Sequence, residues 1–169
     1  MGSEAPDGRW PPNIPQREWD LWTSFFPMEA ELWQWLSRKL RDDADLSEAD
    51  WQVLDALGNT PGHAARAFEL ARRTAFSKSR LSQHAARMTQ RGLLRQHAAA
   101  DDGRGLVIEL TPRGLATFRT AQVHRARHIR QAVIEALEPG ELDALITASA
   151  RIRDNLRRLS HADPVKNND

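Results

Sequence analysis

Between Ser47 and Leu110 the hydrophobic spacing changes period once, from helical to strand-like, and this change limits the folds available to the chain. Leu46-Ser47-Glu48-Ala49-Asp50 is a helix start, with Ser47 as N-cap and two acids in the first turn. Trp51, Leu54 and Leu57 continue its apolar stripe, and Gly58-Asn59-Thr60-Pro61-Gly62 closes it. A short helix over Arg66–Thr74 buries Ala67, Leu70 and Ala71. Phe76-Ser77 forms a tight turn and Ser77 caps a third helix, Lys78–Arg91, with Leu81, Ala85 and Met88 inward. Gly92 stops that helix. Leu93–Ala98 and Gly105–Leu110 then read as strands joined by a hairpin turn over Ala99–Arg104, with Asp102-Gly103 at its tip. Three helices followed by a two-stranded ribbon make a winged helix-turn-helix.

The flanking segments are helical. Met1–Pro15 holds four prolines and reads as a flexible N-terminal arm without the apolar core of a signal peptide. Over residues 16–45, Trp19, Trp22, Phe25 and Phe26, and then Leu32, Trp33, Leu36 and Leu40, fall at three- and four-residue steps. Pro27 should kink this helix or split it. Thr111-Pro112 starts a long helix to Leu137, Glu138-Pro139-Gly140 breaks it, and a final helix runs to about Leu159. Residues 160–169 read as a disordered tail. The expected class is mainly α with a small β-wing. A DNA-binding domain at 46–111 is flanked by a helical dimerisation region at 16–45 and 112–159.

Charge is distributed unevenly along a chain whose net charge is only +1. Residues 1–59 carry five Lys/Arg against twelve Asp/Glu, whereas residues 60–105 carry nine against three. A local excess of that size marks an anion-binding face. The helix Lys78–Arg91 would be about 21 Å long, a fit for a major groove about 12 Å wide. Its outer face carries Lys78, Ser79, Arg80, Ser82, Gln83, His84 and Arg87, and no acid. A merely solvated helix face mixes both signs. Ser77 at the cap and Arg66, Arg72 and Arg73 on the preceding helix extend this face. At the wing tip, Arg104 can enter a minor groove with Asp102 holding its guanidinium. A winged-helix module for protein–protein contact is the rival reading, and the acid-free face disfavours it.

These segments resemble one family in particular. Leu46–Leu54 is similar to the second-helix signature of the multiple-antibiotic-resistance regulator (MarR) family. Ser77–Ser82 with Arg87-Met88 and Arg91-Gly92-Leu93-Leu94 resembles its recognition helix and following strand. Asp102-Gly103-Arg104 and Leu110-Thr111-Pro112-Arg113-Gly114 resemble its wing and fifth helix, in an actinobacterial-type branch. The resemblance runs from about Trp19 to Leu156 and implies a triangular homodimer that binds a pseudo-palindromic operator in double-stranded DNA. It also implies a repressor relieved by a small aromatic or phenolic effector. Dimerisation has separate support, because Leu142, Leu145, Ile146, Ile152 and Leu156 form a stripe with no remaining partner in a small monomer.

Two further clusters stand out. All six tryptophans lie in the first 51 residues, and Trp22, Trp33 and Trp51 with Arg125 suit either an effector pocket or the packed core of a dimer. His124 and His128 stand one helical turn apart, a zinc-compatible spacing. A zinc-responsive regulator is therefore an alternative, but Glu18 and Asp50 are not identifiable as further ligands by spacing, and no metal or cofactor is expected. The absence of cysteine excludes disulfides and thiolate sites. No motif sets a nucleophile beside a base and no glycine-rich phosphate loop occurs, so an enzyme is not expected. The expected compartment is the cytoplasm.

Overall fold

The computed structural model describes residues 14–99 and 105–162. The N-terminal arm before Ile14, the wing tip at 100–104 with Asp102 and Arg104, and the tail beyond Ala162 lie outside them. The chain divides into two compact units, Met1–Ala126 and Arg127–Asp169.

In the first unit, helix α1 spans Gln16–Ala44 without interruption. Pro27 sits inside it and does not split it. In the turn before the proline, Thr23 Oγ1 donates to the Trp19 carbonyl at 2.9 Å and Ser24 Oγ to the Asp20 carbonyl at 2.6 Å. Both hydroxyls bond carbonyls one turn ahead of Thr23, whose carbonyl loses its helical donor to Pro27. Asp45, left-handed at φ 51°, ends the helix.

Helix α2 spans Glu48–Gly58 and opens on a complete capping box. Asp50 N–H donates to Ser47 Oγ at 3.1 Å and Ser47 N–H to Asp50 Oδ2 at 3.0 Å. A single 3₁₀ turn, Pro61–His63, leads into strand β1, Ala64–Arg66. Helix α3 (Ala67–Thr74), helix α4 (Lys78–Gln90) and strands β2 (Leu94–Ala98) and β3 (Leu106–Leu110) follow. The sheet has three antiparallel strands in the order β1-β3-β2, one more than the sequence reading. Ala65 pairs with Ile108 in β3, and Gln96 pairs with Ile108 from the other side.

The core of this unit joins α2 through β3 with the end of α1 and the first half of helix α5 (Pro112–Ala132). Leu46, Val53, Leu54, Leu57, Leu70, Leu81, Met88, Leu94 and Ile108 are fully or almost fully buried. The α4 stop is built as expected: Gly92 is left-handed at φ 72°, and Leu93 N–H reaches back to the Met88 carbonyl at 2.9 Å. Thr111 then locks the start of α5, its Oγ1 donating to the Gly92 carbonyl at 2.7 Å and accepting from Gly114 N–H at 2.9 Å. A Cβ at Gly114 would run into the Leu93 carbonyl, so that crossing requires glycine.

Helix α5 spans Pro112–Ala132 and continues from the first unit into the second. It ends five residues earlier than the sequence reading placed it. Val133 leaves helical geometry, a 3₁₀ turn covers Ile134–Ala136, and Leu137 is extended. Helix α6 spans Pro139–Ala162, with Pro139 at its first position instead of in a breaker. Glu141 Oε2 accepts from Glu138 N–H at 3.0 Å and closes the helix start. Ser160 to Ala162 are helical, which moves the start of the expected tail past them. Leu145, Ile146, Ile152 and Leu156 of α6 are all exposed and Leu142 is half-buried. No helix among the described residues is long and apolar enough to cross a membrane.

Candidate nucleic-acid interface

Helix α4 presents the face anticipated for it. Ser77 caps it, its Oγ accepting from Arg80 N–H at 3.2 Å. Lys78, Ser79, Arg80, Ser82, Gln83 and Arg87 are exposed, while Leu81, Ala85 and Met88 anchor the opposite side in the core. With Ser77 absorbed as a cap, its backbone and the free N–H groups of the first turn remain as anion donors.

His84 differs from its sequence reading as part of the open face. Its side chain is 14% exposed, with Nδ1 3.6 Å from Asp50 Oδ1. Its ring stacks on Phe76 at 5.7 Å between centroids, and Arg87 Nη2 lies 3.2 Å from His84 Nδ1. Burial above all, then the positive charges of Arg87 and Arg80, push its pKa below the ordinary imidazole value against the pull of Asp50. His84 is a structural link between α2 and α4.

The cations that the sequence reading puts on the helix before α4 fall into two environments, and only two of them lie on α3. Arg72 and Arg73 are exposed, and Arg73 Nη1 also donates to Thr60 Oγ1. Arg66 belongs to β1, and its guanidinium fills the space that a Cβ at Gly105 would need, at the base of the wing.

Three partnerships at or beside this face were not read from the sequence. Arg91, at the end of α4, donates to the buried Asp50 at 3.0 Å and also to the Asp45 carbonyl. Arg95 and Glu109 are directly paired across β2 and β3, with bonds of 2.8 and 2.6 Å. That ion pair lowers the Glu109 pKa and keeps the carboxylate charged and occupied. A cation on one strand and an acid on the other, at facing positions, is the signal that could have found this pair.

The third concerns the aromatic cluster. The structure brings Trp33, Trp51 and Arg125 together: the guanidinium carbon lies 5.6 Å from the Trp33 ring and 5.1 Å from the Trp51 ring. Trp51 is buried and stacks on Phe118 at 5.6 Å. Arg125 is already committed to a carboxylate, with both guanidinium ends bonded to Glu48 at 3.1 and 2.9 Å. Trp22 does not join them. It lies eleven residues before Trp33 on α1, about 16 Å along the axis, and packs beside Phe26 instead. His124 Nδ1 faces Asp43 Oδ2 at 3.4 Å. Among the described residues no group of three or more His, Cys, Asp or Glu is placed to hold a metal.

The comparisons agree with this geometry. A family model described as MarR family matches residues 44–105, the span from the end of α1 to the base of β3. A search of curated proteins returns no match. AbsC, a MarR family transcriptional regulator from Streptomyces coelicolor, is 32% identical with a TM-score of 0.76, over 88% of this chain and 98% of that one. Sco3205, another MarR family regulator of that organism, was solved in complex with DNA. It is 28% identical with a TM-score of 0.76, over 88% of this chain and 91% of that one. The PcaV regulator of the same organism, solved with its natural ligand, shares the fold at 24% identity and a TM-score of 0.64, over 80% of this chain and 95% of that one. With an exposed, acid-free α4 on a three-stranded winged module and a near-full-length relative above 30% identity, the chain belongs to the MarR family of transcriptional regulators.

Proposed function

We propose that this chain is a sequence-specific DNA-binding repressor that acts in the cytoplasm as a homodimer. The observation that carries the reading is the α4 face. Lys78, Ser79, Arg80, Ser82, Gln83 and Arg87 stand exposed together and the whole helix contains no acid. Long cations there bind phosphate, while Arg80 and Gln83 suit bidentate contacts to base edges. Arg72 and Arg73 extend the phosphate-binding surface, and Arg104 with Asp102 reaches the minor groove from the wing. The relative solved with DNA supports the same assignment. The exposed α6 stripe from Leu145 to Leu156 supports a second copy of the chain as partner. Two copies place two recognition helices on a pseudo-palindrome with half-sites about one helical turn apart.

A small aromatic acid or phenol relieves repression in this reading, binding beside Trp33 and Trp51. The supporting observation is the pair of indoles converging on Arg125, where a carboxylate already rests. The ligand acts by favouring one arrangement of the recognition helices over another.

The test is fluorescence anisotropy on a duplex selected from random sequence by the protein, against a shuffled duplex of the same composition. A preference of at least about a thousandfold at physiological salt is expected. Equal affinity for the two duplexes would sink the sequence-specific reading.

A further inference from the structure

Phe76 occupies the turn between α3 and α4, and its position there is fixed twice over. Ala75 before it is left-handed at φ 54°, and Phe76 N–H donates to the Ala71 carbonyl at 3.0 Å. The side chain is buried and belongs to the core of the winged module. It is nevertheless in contact with the face that meets DNA. The Arg80 guanidinium carbon stands 4.1 Å from the centre of the Phe76 ring. The His84 ring stacks on the same residue, 26° from parallel. Arg80 and His84 are one turn apart on α4 and share a stripe of it, and Phe76, just ahead of the Ser77 cap, packs against both. His84 is held in turn by Asp50 of α2 and by Arg87 of its own helix.

We propose that Phe76 is a positioning residue for DNA reading, an aromatic platform that holds the Arg80 guanidinium in one pose before DNA arrives. The inference rests on the reading that α4 enters the major groove. Arginine has many rotamers, and fixing one on contact with a base opposes binding. A guanidinium parked on a rigid ring has lost part of that freedom already, and its planar fork keeps its donors free at the edge. The ring is rigid because the core holds it from below and His84, tied to Asp50, stacks beside it. A base contact made by Arg80 therefore depends on an apolar residue that touches no DNA.

Phe76→Leu removes the π face and keeps an apolar side chain, and Phe76→Met is the second variant should the first fail to fold. Both are compared with wild type for affinity on the selected and shuffled duplexes, with circular dichroism confirming the fold. The expected result is a loss of discrimination of about two- to fivefold, the strength of a surface cation–π contact, with shuffled-duplex affinity unchanged. In an Arg80→Ala background the same substitution should cost no further discrimination, because the residue it positions is gone. A folded Phe76 variant with full discrimination overturns the proposal, as does an equal loss with and without Arg80. If Arg80→Ala itself leaves discrimination intact, the recognition-helix reading fails and the platform falls with it. Loss with Arg80→Ala but none with Phe76→Leu removes the platform alone.

Discussion

Asp50 of α2 and Arg91 at the end of α4 are 41 residues apart in sequence and 3.0 Å apart across the helix pair. The carboxylate is buried and also accepts the Ser47 N–H that closes the α2 capping box. One side chain thus secures the start of one helix and the end of the other. Asp50→Ala should cost about 1–3 kcal/mol in urea unfolding, since it strands an N–H and a partly buried cation. Arg91, more open to solvent, should cost about 1 kcal/mol or less when changed to Ala. An Asp50→Ala loss within about 0.5 kcal/mol of wild type, the range of ordinary surface substitutions, would show that the pair adds nothing.

Base reading and phosphate binding should separate by residue. Arg80→Ala and Gln83→Ala should reduce discrimination between selected and shuffled duplexes by about 1–3 kcal/mol each. Arg72→Ala should weaken binding to both duplexes alike and lower the salt dependence by about one counterion. A uniform loss from Arg80→Ala and Gln83→Ala would move the reading residues elsewhere.

Acidification tests His84. Its folded pKa lies below the ordinary imidazole value, through burial first and then Arg87 and Arg80, with Asp50 opposing. The unfolded chain therefore takes up the proton more readily. His84's share of stability is complete above about pH 6.5 and declines as the pH falls below it. The difference in unfolding free energy between wild type and His84→Gln, followed from pH 8 to pH 5, isolates this residue from the other histidines. Wild type should lose ground to the variant on the acid side. Parallel curves would mean that the folded environment leaves His84 unperturbed.

The Glu48–Arg125 pair gives a direct probe of the effector. A carboxylate ligand at Arg125 must displace Glu48, so Glu48→Gln should tighten binding of salicylate, followed by tryptophan fluorescence. Operator duplex should weaken that binding by the factor with which salicylate weakens DNA binding, about 5- to 150-fold. Unaltered salicylate affinity in Glu48→Gln would place any carboxylate site away from Arg125.

Assembly is tested by sedimentation equilibrium, which should give twice the 19.1 kDa chain mass at micromolar concentration. Leu156→Asp should unfold the chain or abolish the dimer, because it puts a charge into the exposed apolar stripe through which two copies would pack. A compact wild-type monomer would contradict the homodimer reading.

Much of this architecture was legible because period and capping agree along the winged module. Ser47 and Ser77 mark helix starts, Gly92 marks a stop, and the structure uses each of them as such. Strand β1 escaped because Ala64-Ala65-Arg66 has no β-branched or aromatic residue, and its partner strand alone makes it a strand. The sequence runs α5 on toward Glu138-Pro139-Gly140 because nothing local to Val133 marks a stop, whereas the helix ends at Ala132 and Pro139 is the first residue of α6. In the interface, helical spacing identified which residues face outward but not what they meet there. His84 lies on the outward stripe and is still mostly covered, because Phe76 and Asp50 approach it from other elements. The aromatic cluster shows the same limit, since nothing local to Arg125 predicts that Glu48 holds it.

Helix α1 has two stretches with different dependencies. Toward its end, Leu36 and Leu40 are buried in the chain's own fold. Up to Trp33, Leu21, Trp22, Phe26, Met28 and Trp33 are exposed, and at Pro27 the helix lacks a backbone donor. The later stretch can therefore form as each chain folds, while the earlier one gains most of its stability only when another surface covers it. Helix completion would then be the last event on the way to a working regulator, and amide exchange should be fast up to Trp33 and slow from Leu36 on in any chain held apart from its partner.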